Sequence, residues 1–491
     1  METTEAEPRH LFRTVVPPIV LPVFLAAADS TVVATALPAI AAAFGEVERL
    51  PWIVVINLIA STVSAPTFGR LADMFGRRRM MVAALTVFLI ASLGCALAPS
   101  FNLLLAARAL QGFGGGGLVT LAQALVGELV PVRQRGSYQG YLSANIVAGA
   151  TLGPVLGGFL TALWGWSSVF LAWVPLSLIA IALVMGLPKG SATAGGPRRF
   201  DLVGMVLLTA FVLPLLLAVY QLQRLEMAMV PRMALYLAMA GAALAALLWQ
   251  QRRTPSPLLP LTLFPHPAFW RANVMAAGSG ASLTALSTFL PIYFQVVMGA
   301  SPSEVGLLLI PLTASVSGGS VITGWLISKT GRTAIFPALG LVVTGASLVA
   351  LAVLTPGLSR AGLSWMLAFG GVCQGSAMLT AQITVQAVGG ARQLGAAAAS
   401  VQLARSLGSA FGAAVAGAVL FGVLSAMDPA TAELFFETVR RGPGVLAALS
   451  PDRQDLVRWE IATAFRGVFL TVACFSATIV VMAATLPVRR L

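Results

Sequence analysis

Charge is what this sequence has least of. Asp, Glu, Lys and Arg make up 10% of its 491 residues and 58% are apolar, whereas about a quarter of the residues of a soluble domain are charged. No soluble fold requires that balance. The absence is also local: Gly136 to Pro188 and Met80 to Ala107 contain no Asp, Glu, Lys or Arg, so water is not the solvent of those stretches. Cysteine is nearly missing. Cys95, Cys373 and Cys474 lie inside apolar segments, with neither metal-ligand nor redox spacing between any two, and read as core packing. His10 and His266 each flank an apolar run alone and are expected to be solvated, without a metal. Lysine is scarce, 2 against 28 arginines, a bias that points to a GC-rich bacterial genome.

The net charge of +13 would suit a nucleic-acid partner if the basic residues shared one soluble face or tail. They sit instead in short gaps between apolar runs, so no nucleic acid is expected. A cleavable signal peptide is also not expected. The first apolar run contains Asp29, lacks a small-residue cleavage pattern and is followed by many equivalent runs.

What is present is a series of apolar segments of membrane-crossing length, bounded by charge, Pro or Gly. Spans are predicted near 15–42, 51–69, 80–98, 101–125, 138–163 and 167–187, then, after the linker PKGSATAGGPRRF, near 202–222 and 232–250. A Pro-rich stretch, SPLLPLTLFPHPAFW, precedes six more, near 272–297, 304–328, 334–354, 362–386, 395–424 and 466–487. The expected fold class is an all-α polytopic membrane protein with fourteen transmembrane helices. It divides into an N-terminal six-helix bundle (1–188), a linker with two inserted helices (189–253) and a C-terminal six-helix bundle (254–491). With the N-terminus inside, the tails and short loops assigned to the cytoplasm carry 19 Lys and Arg and the external ones 4. That bias supports an even number of spans with both termini cytoplasmic. It leaves one long polar loop, about 425–461, outside.

The two bundles repeat one another, as in many transporters built from related halves around a central site. GRLADMFGRRR at 69–79 is echoed by GWLISKTGRTA at 324–334, with Gly69, Leu71, Gly76 and Arg77 matched by Gly324, Leu326, Gly331 and Arg332, while Ser328 stands in place of Asp73. A second pairing matches Arg133, Gly136, Gly149, Gly153 and Gly158 to Arg392, Gly395, Gly408, Gly412 and Gly417.

In GRLADMFGRRRMM, Gly69 and Gly76 permit a tight turn between close helices, and Asp73 can accept from a neighbouring helix N-terminus or an Arg. An ordinary positively charged loop needs neither the glycines nor the acid. With this G-x-L-x-D-x-x-G-R-R pattern the chain resembles the major facilitator superfamily. The resemblance implies that Gly69, Asp73, Gly76, Arg77 and Arg78 form a conformational latch, holding the inward-closed state. Three further stretches are similar to motifs of that family: LLLAARALQGFGGGG, with Arg108, to its helix-4 motif linked to proton transfer; GATLGPVLGG, with Gly149, Gly153, Pro154, Gly157 and Gly158, to its antiporter motif, implying export and control of closure between the halves; and ADSTVVATALPAI to the acidic first-helix motif of the fourteen-helix drug:proton antiporter branch. Ala34 departs from the usual Asn of that motif and Asn57 from a common Tyr.

Other readings of these residues remain. Small residues at i and i+4 and Pro154 also serve plain helix packing and a kink, and Arg108 could bond exposed carbonyls. Arg405, inside the thirteenth span, has no acidic neighbour in sequence. Asp29 alone among the 17 acids lies near mid-bilayer, where insertion costs about 2.5–3.5 kcal/mol. It could be a structural Asp bonded to Thr31 or to a freed amide. As a proton carrier it would be loaded and unloaded by modest changes in its surroundings.

The expected function is proton-coupled export of amphipathic, often cationic, drug-like compounds by alternating access, from the bacterial inner membrane, with the proton gradient and no cofactor. The partners are then the small-molecule cargo, protons and the lipid bilayer, and the expected state is a monomer. Asp29 and Arg108 are the proton-coupling candidates, and Asn57, Gln123, Asn145, Gln295, Gln374 and Met378 the candidate cavity liners. A dedicated exporter of one lipid, siderophore or self-made antibiotic would share every motif. A membrane enzyme or sensor would show a catalytic or metal constellation or an appended soluble domain, and neither is found in the sequence.

Overall fold

A computed structural model describes residues 8–46, 49–131, 134–188, 200–222, 230–331, 335–354, 358–390, 393–441, 444–447 and 449–487. The described residues contain helices and no strand. In chain order these are α1 Pro8–Phe44, α2 Pro51–Phe75, α3 Arg77–Ala96, α4 Phe101–Leu129, α5 Arg135–Trp164, α6 Ser167–Leu171, α7 Trp173–Met185, α8 Leu202–Leu222, α9 Val230–Arg253, α10 Pro267–Ile292, α11 Pro302–Thr330, α12 Ile335–Leu354, α13 Arg360–Gly389, α14 Leu394–Met427, α15 Pro429–Arg441, α16 Gly444–Ala447 and α17 Pro451–Ala484. Each of the fourteen expected spans is helical, with α6 and α7 sharing the sixth. Among the described residues, twelve spans are long and apolar enough to cross a membrane by length and composition, and α12 and α13 occupy the other two positions. Most of the inter-bundle linker, Arg133, Arg332, Arg392 and both chain ends lie outside the described residues.

Helix boundaries follow local chemistry. Ser100 and Ser359 cap α4 and α13 by accepting from Leu103 N and Gly362 N, and Ser301 with Glu304 forms a reciprocal capping box on α11. Pro51, Pro267, Pro302 and Pro451 open helices in the first turn, where no backbone donor is lost to the ladder. Gly76, at φ +92°, makes the turn from α2 into α3.

The expected polar loop at 425–461 is mostly helical. α14 runs on to Met427, α17 begins at Pro451, and α15 and α16 lie between them. Hydropathy marks where a chain leaves the bilayer, whereas a helix continues as long as its backbone bonds are made. α15 packs Phe435 on Phe421. Asp428 accepts from Thr431 and Arg453, and Thr431 also donates to Glu460.

Two sets of helices surround two apolar clusters. In one, α1 packs on α5, and α2 and α3 on α4, around residues from Val15 to Leu187. In the other, α10 packs on α14, α11 on α13 and α12 on α17, around a cluster that includes Tyr293, Phe465 and Phe469. The sets meet where α5 lies along α11 and α2 along α14. α8 and α9 pair and lean on this seam, with Leu208, Val212 and Leu247 clustered against Ile59 and Val63 of α2. Asp201 joins the pair by accepting from Gly204 N, Gln250 and Gln251, and Gln251 Oε1 accepts from Leu259 N of the Pro-rich stretch.

Candidate functional site

Asp29 and Arg108, 79 residues apart, meet in the N-terminal bundle between α1 and α4. Arg108 Nη1 donates to Asp29 Oδ2 at 2.9 Å and Oδ1 at 3.1 Å, with the side chains 1% and 4% exposed. The same nitrogen donates to Gln111 Oε1 at 2.7 Å, and Gln111 Nε2 in turn donates to Ser92 Oγ at 2.8 Å. The Phe170 ring lies 5.7 Å from the guanidinium carbon. With its oxygen turned toward α4, the Asn57 amide accepts from Arg108 Nη2 and Gly112 N, both at 3.2 Å. Thr31 bonds Ala28 O instead of Asp29. The acid is therefore held by a cation, not by its own helix.

Glycines bring these groups together. A Cβ on Gly112 would stand 2.5 Å from Asn57 O, and one on Gly116 2.2 Å from Ser61 O. α2 and α4 thus touch backbone to backbone. Ser64 of α2 donates to Phe113 O across that contact, and Asn57, expected as a cavity liner, is buried in the Arg108 network instead.

The latch loop joins the two sets of helices. Asp73 accepts from Gly395 N and Ala396 N, both at 3.0 Å, at the start of α14, where free amides favour an anion. Arg77 donates to Asp73 at 3.2 Å and to Glu128 of α4 at 2.7 Å, and Arg78 donates to Val184 O and Met185 O at the end of α7. A Cβ on Gly69 would lie 2.6 Å from Gly395 O, and one on Gly395 2.3 Å from Gly69 O. The repeat reproduces this contact on the other seam: a Cβ on Gly136 would lie 2.7 Å from Gly324 O and one on Gly324 2.3 Å from Gly136 O. There Ser328, the counterpart of Asp73, accepts from Ser137 N at 3.1 Å. The second contact keeps the geometry and lacks the charge.

The α5 motif faces within its own bundle. Added Cβ atoms on Gly149, Gly153 and Gly157 would meet Ala27, Thr31 and Thr35 of α1 at 2.9, 2.1 and 2.4 Å, while one on Gly158 would meet nothing within 4 Å. In this structure the motif's close contacts are with α1 of the same bundle, and α5 approaches the other half at Gly136 and Gly140. The repeat again holds: Gly408 and Gly412 of α14 lie on Ala277 and Ala281 of α10 as Gly149 and Gly153 lie on α1.

Residues 19–413 match the family model described as Major Facilitator Superfamily. The chain belongs to the major facilitator superfamily. It is 31% identical over 409 residues to an uncharacterised MFS-type transporter of Mycobacterium tuberculosis, covering 83% of this chain and 59% of that protein, so it spans under two thirds of that relative's length. It is 30% identical over 411 residues to the multidrug transporter protein MdtP of Bacillus subtilis, covering 82% and 74%. Among solved structures it is similar in fold to the proton:xylose symporter XylE bound to 6-bromo-6-deoxy-D-glucose, with TM-score 0.64, 15% identity and 98% of both chains covered.

Within this major facilitator fold, the other expected liners are dispersed. Gln123 lies buried on α4, where its backbone carbonyl accepts from Gln139 and from Gln386 of α13. Asn145 donates to Val20 O of α1. Gln295 is half-buried in a π-helical turn, Tyr293–Val297, that continues α10. Gln374 and Met378 are buried one turn apart on α13; Gln374 donates to Ser279 O, and Met378 receives Arg405 Nη1 on its sulfur at 3.6 Å. Both partner types expected for Asp73, a helix N-terminus and an Arg, are present, as the α14 amides and Arg77. Sequence reasoning did not name α14 as that helix and missed Glu128 and the Ser328–Ser137 contact, of which the last had a signal in the repeat that aligns Ser328 with Asp73.

Proposed function

We propose that this transporter is a proton-coupled exporter of amphipathic, drug-like compounds, working by alternating access in a bacterial inner membrane with both termini cytoplasmic. The observation that carries the reading is the buried Asp29–Arg108 pair. Among the described residues Asp29 is the acid nearest the middle of a span, and an intramembrane carboxylate held by an adjustable cation suits proton loading. In this reading protonation of Asp29 releases Arg108 to Gln111 and Asn57, so the pair exists in two arrangements. Asp29 follows Ala28, which packs on Gly149 and Gly153 of α5, so such a rearrangement would reach the α1–α5 contact through the body of α1. The Asp73 latch, which closes the end of the bundle carrying Arg77, Arg78 and Lys329, then holds the inward-closed state. MdtP, at 30% identity, is named for multidrug transport, which supports an export reading. The test is dye transport in inverted membrane vesicles. Uptake that follows an imposed pH gradient and collapses with a protonophore is expected, and uptake indifferent to the protonophore would refute proton coupling.

A further inference from the structure

The C-terminal bundle holds a cation that the coupling pair does not use. Arg405 lies 11 residues into α14, about 16 Å along the helix from Leu394 and so near the depth of the bilayer centre. Leu403 and Ala410 occupy the opposite face of α14 and pack toward α2 and α8. Arg405 projects between α10 and α13 instead: its Cγ is 3.0 Å from the position of a Cβ on Gly280, and Nη1 reaches Met378. By the glycine pairing, α14 on α10 repeats α5 on α1. Arg405 therefore adjoins the counterpart of the helix that carries Asp29.

The two cations differ in partners. Arg108 has the Asp29 carboxylate, Gln111 and Asn57. Arg405 donates to Gln402 Oε1 at 2.5 Å and to the Met378 sulfur at 3.6 Å, a weak acceptor, and among the described residues no carboxylate pairs with it. A guanidinium carries five N–H donors in a fork that fits a carboxylate or phosphate, so most of its donors are unused. Nearby on α13, Gln374 Oε1 is buried without a partner. A lone intramembrane cation is costly to keep, and a purely structural Arg would be expected to saturate its donors on carbonyls, as Arg108 and Arg360 do in part.

We infer that Arg405 is an anion-recognition site for cargo, so that the compounds exported carry an acidic group, a carboxylate above all. Arg271 and Arg360 lie near the ends of α10 and α13, so Arg405 is the charged side chain in the middle of the region bounded by α10, α13 and α14. Met378 and the apolar walls beside it receive the hydrophobic body. This narrows the cargo class of the export reading and rests on it.

Three pyrene probes that differ only in end group, 1-pyrenebutyrate, 1-pyrenebutanol and 1-pyrenebutylamine, test it. Binding to the full chain in nanodiscs is read by tryptophan-to-pyrene energy transfer. The carboxylate should bind more tightly than the alcohol and the amine more weakly. Arg405→Gln should weaken carboxylate binding by about ten- to a hundredfold, the range of a charge-assisted hydrogen bond, and leave the alcohol within about threefold. Arg405→Lys, which keeps the charge, should retain most of the preference. Equal binding of the three probes by wild type, or carboxylate binding unchanged in Arg405→Gln, overturns the inference. The binding order in wild type decides the matter even where a variant folds poorly. Transport of the same probes in proteoliposomes separates the two readings: if none is moved uphill, the export reading fails, while the binding order still decides the anion site.

Discussion

Asp29→Asn keeps the shape of the side chain and removes its charge and its proton. In the structure Arg108 would lose carboxylate contacts at 2.9 and 3.1 Å and keep Gln111 at 2.7 Å and, more weakly, Ile53 O at 3.5 Å, with its side chain 1% exposed. Removing one partner of a buried pair costs about 3–5 kcal/mol, and the remaining polar contacts place this case near the lower end. The variant should therefore unfold at a lower temperature in detergent. Asp29→Asn combined with Arg108→Gln should recover much of the loss, because no unbalanced charge remains. Neither variant should couple transport to protons. In proteoliposomes one unit of pH supplies about 1.4 kcal/mol, a tenfold cargo gradient, for each proton exchanged. A voltage of 100 mV adds about 2.3 kcal/mol per charge moved: one charge for a neutral probe, two for a monoanion and none for a monovalent cation. Wild type should approach these limits, and Asp29→Asn should stop at equal concentrations while retaining downhill exchange. Undiminished pH-driven accumulation by Asp29→Asn would refute the proton-carrier assignment. Voltage-driven exchange of a monovalent cation would reveal a second titrating group.

Gly157→Ala should lower stability by about 1–3 kcal/mol and impair transport, because its Cβ would stand 2.4 Å from Val32 O and Thr35 Oγ1, whereas Gly158→Ala, with nothing within 4 Å, should behave as wild type. Equal melting temperatures for the two variants would contradict the α1–α5 contact. Asp73→Ala removes the acceptor for Gly395 N and Ala396 N and, at about 0.5–2 kcal/mol for a lost cap, should shift the two conformations by about two- to thirtyfold. Spin-label distances between the ends of α3 and α11 measure this, and an unchanged distribution counts against the latch. At the other end, the Arg453, Thr431 and Ala430 hydrogen bonds hold the Asp428 carboxyl below its ordinary value of 3.8. Its contribution is present above that value and lost as pH falls through the lower folded one. Hydrogen-exchange protection in α15, corrected for the intrinsic rate at each pH, should be steady from pH 8 to 5 and fall only below about pH 4, and loss of protection near neutrality would exclude Asp428 as the tie.

By itself the sequence determined the solvent, the number of spans, the two-fold repeat, the tight glycine turn at 69–79 with its acid, and the acid in the middle of the first span. Each is legible because hydropathy, glycine spacing and a misplaced charge report on one residue's own surroundings. The relation of Asp73 to Ser328 was visible for the same reason, as an aligned difference within a repeat. What Asp29 binds was not: Arg108 is 79 residues away, and the partners of Asp73 on α14 are 322 and 323 away. Those pairings depend on which helices abut, and in a bilayer that is set by where small residues allow backbones to touch. Thus Gly112 places Asn57 beside Arg108 instead of a cavity, Gly153 turns the α5 motif toward α1, and Gly280 admits Arg405 between helices that offer it no acid. Composition shows that a helix has a small face; only tertiary packing decides which neighbour fills it, and therefore which charges meet and which is left for a ligand.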